Sequence, residues 1–319
     1  MIGAERVWRE LGVTGKGVVV GVSDTGVDGR HPALRDGFRG GDDSWYDPWE
    51  ATRSPTDHAS HGTHVTGTAV GRTGTGVAPG ASWMGCVTGN RNLSNPAAFV
   101  GCLQFMLAPF PPGGDPWRDG RPERAPHVLN NSWHCTALDG CDPGALAPAT
   151  AALRAAGLFF VTSAGNTGPR CASIVNAPAR YTDVLTVGGV DRAGQVAAFA
   201  NRGPRGATGT PVDGGPAGTP DIAAPAVGVP SAMPCGGYGA ADGTSMAVPH
   251  VSGVVALMWS ANPRLAGDIE RTEQILRRSA HPLGVAKAAD PQGCGIWSSL
   301  GAGMVDAYAA TRAALAARP

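Results

Sequence analysis

The apolar residues of this chain fall into short continuous runs, each bounded by glycine, proline or polar turn residues. The first, at 17–22 within GKGVVVGVSD, is apolar at consecutive rather than alternate positions, which predicts a strand buried on both faces, as in a parallel sheet. Similar runs at 82–89 (SWMGCVTG), 127–133 (HVLNNSW), 158–165 (LFFVTSAG) and 184–190 (VLTVGGV) predict further strands. Between them, helical spacing is read at 61–70, at 96–107 and at 145–157, where Gly157 ends the helix. A long apolar helix opens near 244, and amphipathic segments follow near 268–279 and 304–317. Polar or glycine- and proline-rich stretches at 28–60, 108–126 and 203–218 read as ordered loops. Strands alternating with helices predict an α/β fold, a doubly wound parallel sheet with helices on both faces. At 319 residues one large domain over 1–319 is expected, and no internal repeat is visible.

The densest chemical signal is DGTSMAVPHVSG, Asp242 to Gly253. It sets Ser245 in a turn of small residues leading straight into the apolar helix, with Pro249 read as lying in the first helical turn. At a helix N-terminus, unpaired N–H groups and the dipole favour developing negative charge. A serine hydroxyl still needs a base, and the base an orienting group. His61, opening SHGTHVTG, supplies the first; Asp24, just past the carboxyl end of the 17–22 run, supplies the second. Asp28 competes with Asp24 on position alone. His58, His61 and His64 recur every third residue, but a zinc hydrolase would want His-Glu-x-x-His and a third ligand, which this segment lacks. His64 is expected to bond on its own helix and His58 to lie in a loop. An esterase of the α/β-hydrolase type would show Gly-x-Ser-x-Gly and the order Ser, Asp, His, whereas Ser245 comes last here.

With SDTGVD, HGTHVTG, SAGNTG and GTSMAVPH standing in that order, the chain resembles the subtilisin-like serine protease (subtilase) family, of the bacillopeptidase F type, over roughly residues 5–312. The resemblance implies a serine endopeptidase acting through an acyl-enzyme, with Asp24, His61 and Ser245 as triad and Asn166 as oxyanion donor. On the residues alone Asn166 would be an ordinary turn asparagine. The resemblance also implies two backbone edges that hold an extended peptide, Ser132-Trp133-His134 and Ser163-Ala164-Gly165, with Thr244 beside them. Asn130 and Asn131 read as framework. A glycine is usual where His134 stands, so this chain departs from the family there. The pocket floor maps to about Asn176 with no acid nearby, which implies a broad or apolar preference at the cleaved bond, leucine or phenylalanine included. No cofactor is needed for the chemistry. A calcium loop is not expected at 70–80, which lacks acids, but Asp221 matches one ligand of a weaker calcium site with carbonyls near Ala179 and Tyr181, although Thr219 replaces the partner acid. A catalytically silent binding module of the same family is the rival reading, set against four intact catalytic positions.

Composition narrows the partners. With 25 basic and 25 acidic side chains and no basic stripe, binding to nucleic acid or a membrane surface has no electrostatic support. No apolar run of spanning length is present. Polypeptides are the expected partners of a monomer. None of the seven cysteines forms Cys-x-x-Cys, so metal and thioredoxin readings are weak; at least one disulfide is expected, drawn from Cys135, Cys141 and Cys171, with Cys86 and Cys102 as another local pair. That favours an extracellular or cell-surface location, with the cytoplasm as alternative because MIGAERVWRELG has no signal-peptide core. The family resemblance then implies a mature domain whose propeptide has been removed.

Overall fold

The computed structural model describes residues 1–91, 93–210, 213–284 and 290–317. Nine strands are described: β1 Val19–Asp24, β2 Trp45–Tyr46, β3 Ser82–Val87, β4 Val128–Asn131, β5 Phe159–Ser163, β6 Leu185–Val190, β7 Ile222–Pro225, β8 Val229–Met233 and β9 Gly237–Ala241. The first seven form one parallel sheet in the order β2-β3-β1-β4-β5-β6-β7, and β8 and β9 form a separate antiparallel hairpin. The helices are α1 Ala4–Arg6, α2 His61–Val70, α3 Pro96–Leu107, α4 Ala147–Ala155, α5 Thr244–Ala261, α6 Ile269–Ser279, α7 Ile296–Leu300 and α8 Ala307–Ala316.

The sheet is covered on both sides, which is why its strands read as unbroken apolar runs. Val20, Val22, Val128, Phe159, Val161 and Val187 point to one face, into a core shared with α2 and α5. Alternate residues, Met84, Cys86, Leu129 and Phe160, point to the other face and pack on Leu103, Phe105 and Met106 of α3. The period of two along each strand sorts its residues between these layers. Helix α5 is buried on nearly every side from Thr244 to Trp259, so its sequence is apolar all round instead of striped. Disulfides join Cys86 to Cys102 between β3 and α3, Cys135 to Cys141 within one loop, and Cys171 to Cys294, while Cys235 is free and exposed. The last closes a sequence separation of 123 residues, and in the chain-entropy account contributes on the order of 4–5 kcal/mol.

Several expectations need correction. Pro249 is the sixth residue of α5, inside the helix and not in its first turn. Helix α8 starts at Ala307, where the Asp306 carboxylate caps it by accepting from the Ala309 N–H. The His64 ring does not bond on its own helix: its Nε2–H donates to Val229 O of β8 at 3.0 Å. The short strands β2 and β7, the β8–β9 hairpin and α7 had no clear pattern, because alanine, glycine and proline dominate β7 and the hairpin, β2 has only two residues and α7 only five. No helix among the described residues is long and apolar enough to cross a membrane.

Candidate active site

Parallel strands expose their carboxyl ends on one edge of the sheet, and Asp24 is the last residue of β1 on that edge. Directly after it, the chain packs against the first turn of α2. A Cβ on Gly62 would stand 1.9 Å from Gly26 O, so only glycine permits this approach. The contact brings His61, first residue of α2, onto Asp24: the imidazole Nδ1–H donates to Asp24 Oδ1 at 2.7 Å, and the Thr25 N–H donates to the same oxygen at 2.7 Å. Since a carboxylate only accepts, Nδ1 carries the proton and Nε2 is left as the basic nitrogen. Burial pulls the His61 pKa down, but the charge and hydrogen bond of Asp24 outweigh it and hold the pKa above the ordinary value.

Asp57 fixes the approach to His61 and was missed in the sequence. Its Oδ1 accepts from Thr25 Oγ1, Ala59 N and Ser60 N at 2.8–2.9 Å, and its Oδ2 accepts from the Thr63 N–H and hydroxyl. These bonds hold Ser60 at φ 107°, a left-handed conformation unusual for serine. A lone acid in a polar loop four residues ahead of His61 gave only a generic helix-start signal. The rival Asp28 is engaged elsewhere, with Arg30 N and Cys235 N. His58 lies in its loop, donating to the buried Asp47.

Ser245 is the second residue of α5, 9% exposed, and its hydroxyl donates to Ser132 O at 3.0 Å. Asn166 stands at the same helix start. Its Oδ1 accepts from both the N–H and the hydroxyl of Thr244, at 2.8 and 2.9 Å, which turns its Nδ2 donors outward. Thr244 is fully buried, and its hydroxyl also accepts from Gly165 N. The two edges continue from neighbouring strands, since Asn131 of β4 pairs in register with Thr162 of β5. Across the gap between them, His134 Nε2–H donates to Ser163 O at 2.6 Å. Trp133 donates to Ser23 O and stacks on Phe99 at 4.4 Å. Asn130 accepts from Ser252 and donates to Ser132, and Asn131 reaches Val161 O, so both brace the strands. Asn176 is half-buried, and Ala177 beside it accepts from Cys135 N, tying that loop to the His134 edge. A cavity of about 250 Å³ opens beside His61, lined among others by Leu93, Phe99, Trp133 and Asp139.

The group around Asp221 does not fit calcium. Hard cations need several free oxygens. Here Oδ2 accepts from Thr186 N, Oδ1 faces the Arg277 guanidinium at 3.5 Å, and Ala179 O accepts from the Thr186 hydroxyl. Burial pushes the Asp221 carboxyl up to about 7, and Arg277 also faces Glu273 at 3.4 Å.

Fold and site together define a parallel α/β protein that gathers a carboxylate, an imidazole and a helix-N-terminal serine at one edge of its sheet. The chain belongs to the subtilase family, whose model matches residues 15–295. It is 37% identical to Bacillopeptidase F of Bacillus subtilis, over 98% of this chain and 22% of that protein. Alkaline elastase YaB of a Bacillus species is 34% identical over 95% of this chain and 67% of its own length, and Subtilisin E of Bacillus subtilis 32% over 79% and 58%. The chain thus spans about a fifth of Bacillopeptidase F and somewhat over half of Subtilisin E.

Proposed function

We propose that this chain is a serine endopeptidase in which residues 1–319 act as one catalytic domain. The observation that carries the reading is the 2.7 Å bond from His61 Nδ1 to Asp24 Oδ1, with Ser245 at the N-terminus of α5. Ser245 Oγ attacks the peptide carbonyl while His61 Nε2 takes its proton. The negative oxygen is met by the Ser245 N–H and the Asn166 amide, aided by the helix dipole. His61 then protonates the leaving amine, and a water activated by the same imidazole releases the acyl group from Ser245. Asp24 keeps the imidazole in the required tautomer and stabilises its charged form without taking the proton. The Ser245 hydroxyl donates to Ser132 O, so substrate entry must swing it toward His61.

No acid stands beside Asn176 in the sequence, so a lysine or arginine side chain reaching it would lose hydration without a countercharge from that segment; uncharged side chains are favoured. Three disulfides support an oxidising, extracellular location. The test is labelling by a fluorophosphonate probe alongside hydrolysis of unfolded casein. Labelling confined to Ser245 with parallel loss of proteolysis is expected. Proteolysis that resists the probe but stops with a chelator would refute the mechanism.

A further inference from the structure

We propose that the His134 imidazole fills the crevice beside Ser245 and restricts the side chain at the cleaved bond to small ones, glycine, alanine or serine. This deepens the peptidase reading and rests on Ser245 being the nucleophile.

The crevice follows from the topology. Where β4 and β5 stop pairing, their continuations separate at the carboxyl edge of the sheet, and both rims touch the start of α5. One rim supplies Ser132 O, which accepts from Ser245; the other supplies Gly165 N, which donates to Thr244. An acyl carbon bonded to Ser245 Oγ and within reach of Asn166 Nδ2 must carry its side chain into the gap between them. The His134 ring already spans that gap. Its Nε2–H reaches Ser163 O at 2.6 Å, and its Cε1 would stand 3.4 Å from a Cβ built on Gly165, so the ring lies against the opposite rim over the length of three residues.

Nor is the ring on a loose stem. The next residue, Cys135, is joined to Cys141, and its N–H donates to Ala177 O at 2.8 Å, which holds the His134 backbone at both the covalent and the hydrogen-bond level. A leucine or phenylalanine side chain would have to displace the ring and leave the Ser163 carbonyl without its donor. Burial lowers the His134 pKa, which favours the uncharged ring in the crevice over a charged one turned out to water. The expectation of leucine or phenylalanine at this position, drawn from the lack of an acid, is therefore narrowed by the imidazole.

The experiment compares kcat/KM for two peptides that differ only in alanine or phenylalanine at the acyl side of the cleaved bond. Wild type should favour alanine by at least about 10-fold, and both His134→Gly and His134→Ala should shift the ratio toward phenylalanine by about 10-fold or more, the size of effect a filled or emptied apolar slot produces. Wild type that takes phenylalanine as readily as alanine overturns the proposal, whether or not the variants fold. Variants that keep the wild-type ratio also overturn it. Fluorophosphonate labelling of the same wild-type sample separates the failures: labelled but unselective protein sinks this inference alone, and unlabelled protein sinks the peptidase reading with it.

Discussion

Ser132 and Ser245 exchange a pair of hydrogen bonds across 113 residues of sequence: the Ser132 hydroxyl donates to Ser245 O at 2.9 Å, and the Ser245 hydroxyl donates to Ser132 O at 3.0 Å. The pairing has a cause in α5. Residue 249 would ordinarily donate its N–H to the carbonyl of 245, but Pro249 has none. The carbonyl so released is buried, and Ser132 is what satisfies it.

Ser132→Ala should therefore destabilise the protein by about 1–3 kcal/mol, the cost of leaving a buried carbonyl unpaired. The shift of the urea midpoint measures it. A variant as stable as wild type would mean that the freed carbonyl finds another donor.

Ser245→Ala should remove casein hydrolysis by roughly 10⁶-fold, the loss established for the triad serine of subtilisin. It should also lower stability, by about 1–3 kcal/mol, since the buried Ser132 O loses the hydroxyl that donates to it. Turnover within a factor of about 10² of wild type would exclude Ser245 as the nucleophile.

The pH profile follows from His61. Its folded pKa lies above the ordinary value of about 6.5, and the base must be neutral, so kcat/KM should rise with pH through a midpoint above that value. The raised pKa also stabilises the fold: that contribution is full below the unfolded pKa and is lost as pH rises through the folded one. Asp24→Asn removes the cause of the increase. It should move the midpoint down, and lower turnover by about 10⁴-fold by releasing the tautomer. An unmoved midpoint would mean that another group titrates.

Asn166→Ala should reduce kcat by about 10²- to 10³-fold with KM nearly constant, because its bond strengthens only as charge develops on the substrate oxygen. Thr244→Val should act in the same direction and more weakly, since it removes one of the two donors that hold the Asn166 oxygen while the backbone N–H remains. A rise in KM at unchanged kcat would make Asn166 a part of ground-state binding.

Asp57→Asn should weaken both fold and activity. An amide at this position keeps one acceptor oxygen where the carboxylate uses two for five donors around Thr25, Ser60 and Thr63, so Ser60 loses the bonds that hold its left-handed turn. A stability loss of about 1–3 kcal/mol is expected, with kcat falling more than KM changes as His61 loses its fixed position. Full activity at reduced stability would show that Asp24 alone orients the ring.

What the sequence determined by itself was local. Consecutive apolar residues mark strands covered on both faces, so β1, β3, β4, β5 and β6 could be read, and with them the end of β1 where Asp24 stands. Small residues opening an apolar helix marked His61 and Ser245 for the same reason: those positions depend on neighbours along the chain. Tertiary structure decided whatever depends on partners distant in sequence. The Cys171–Cys294 pairing, the Ser132–Ser245 exchange and the Asp57 cluster each join segments whose own composition names no partner. The same holds for Asp221, whose acid reads as a metal ligand until Arg277, 56 residues on, turns out to face it. His134 is the sharpest case. Its identity signals a bulky residue where glycine is usual, but only the register of β4 against β5 sets its ring across the gap to Ser163, because a side chain's reach is fixed by the separation of two strands and not by its place in the chain.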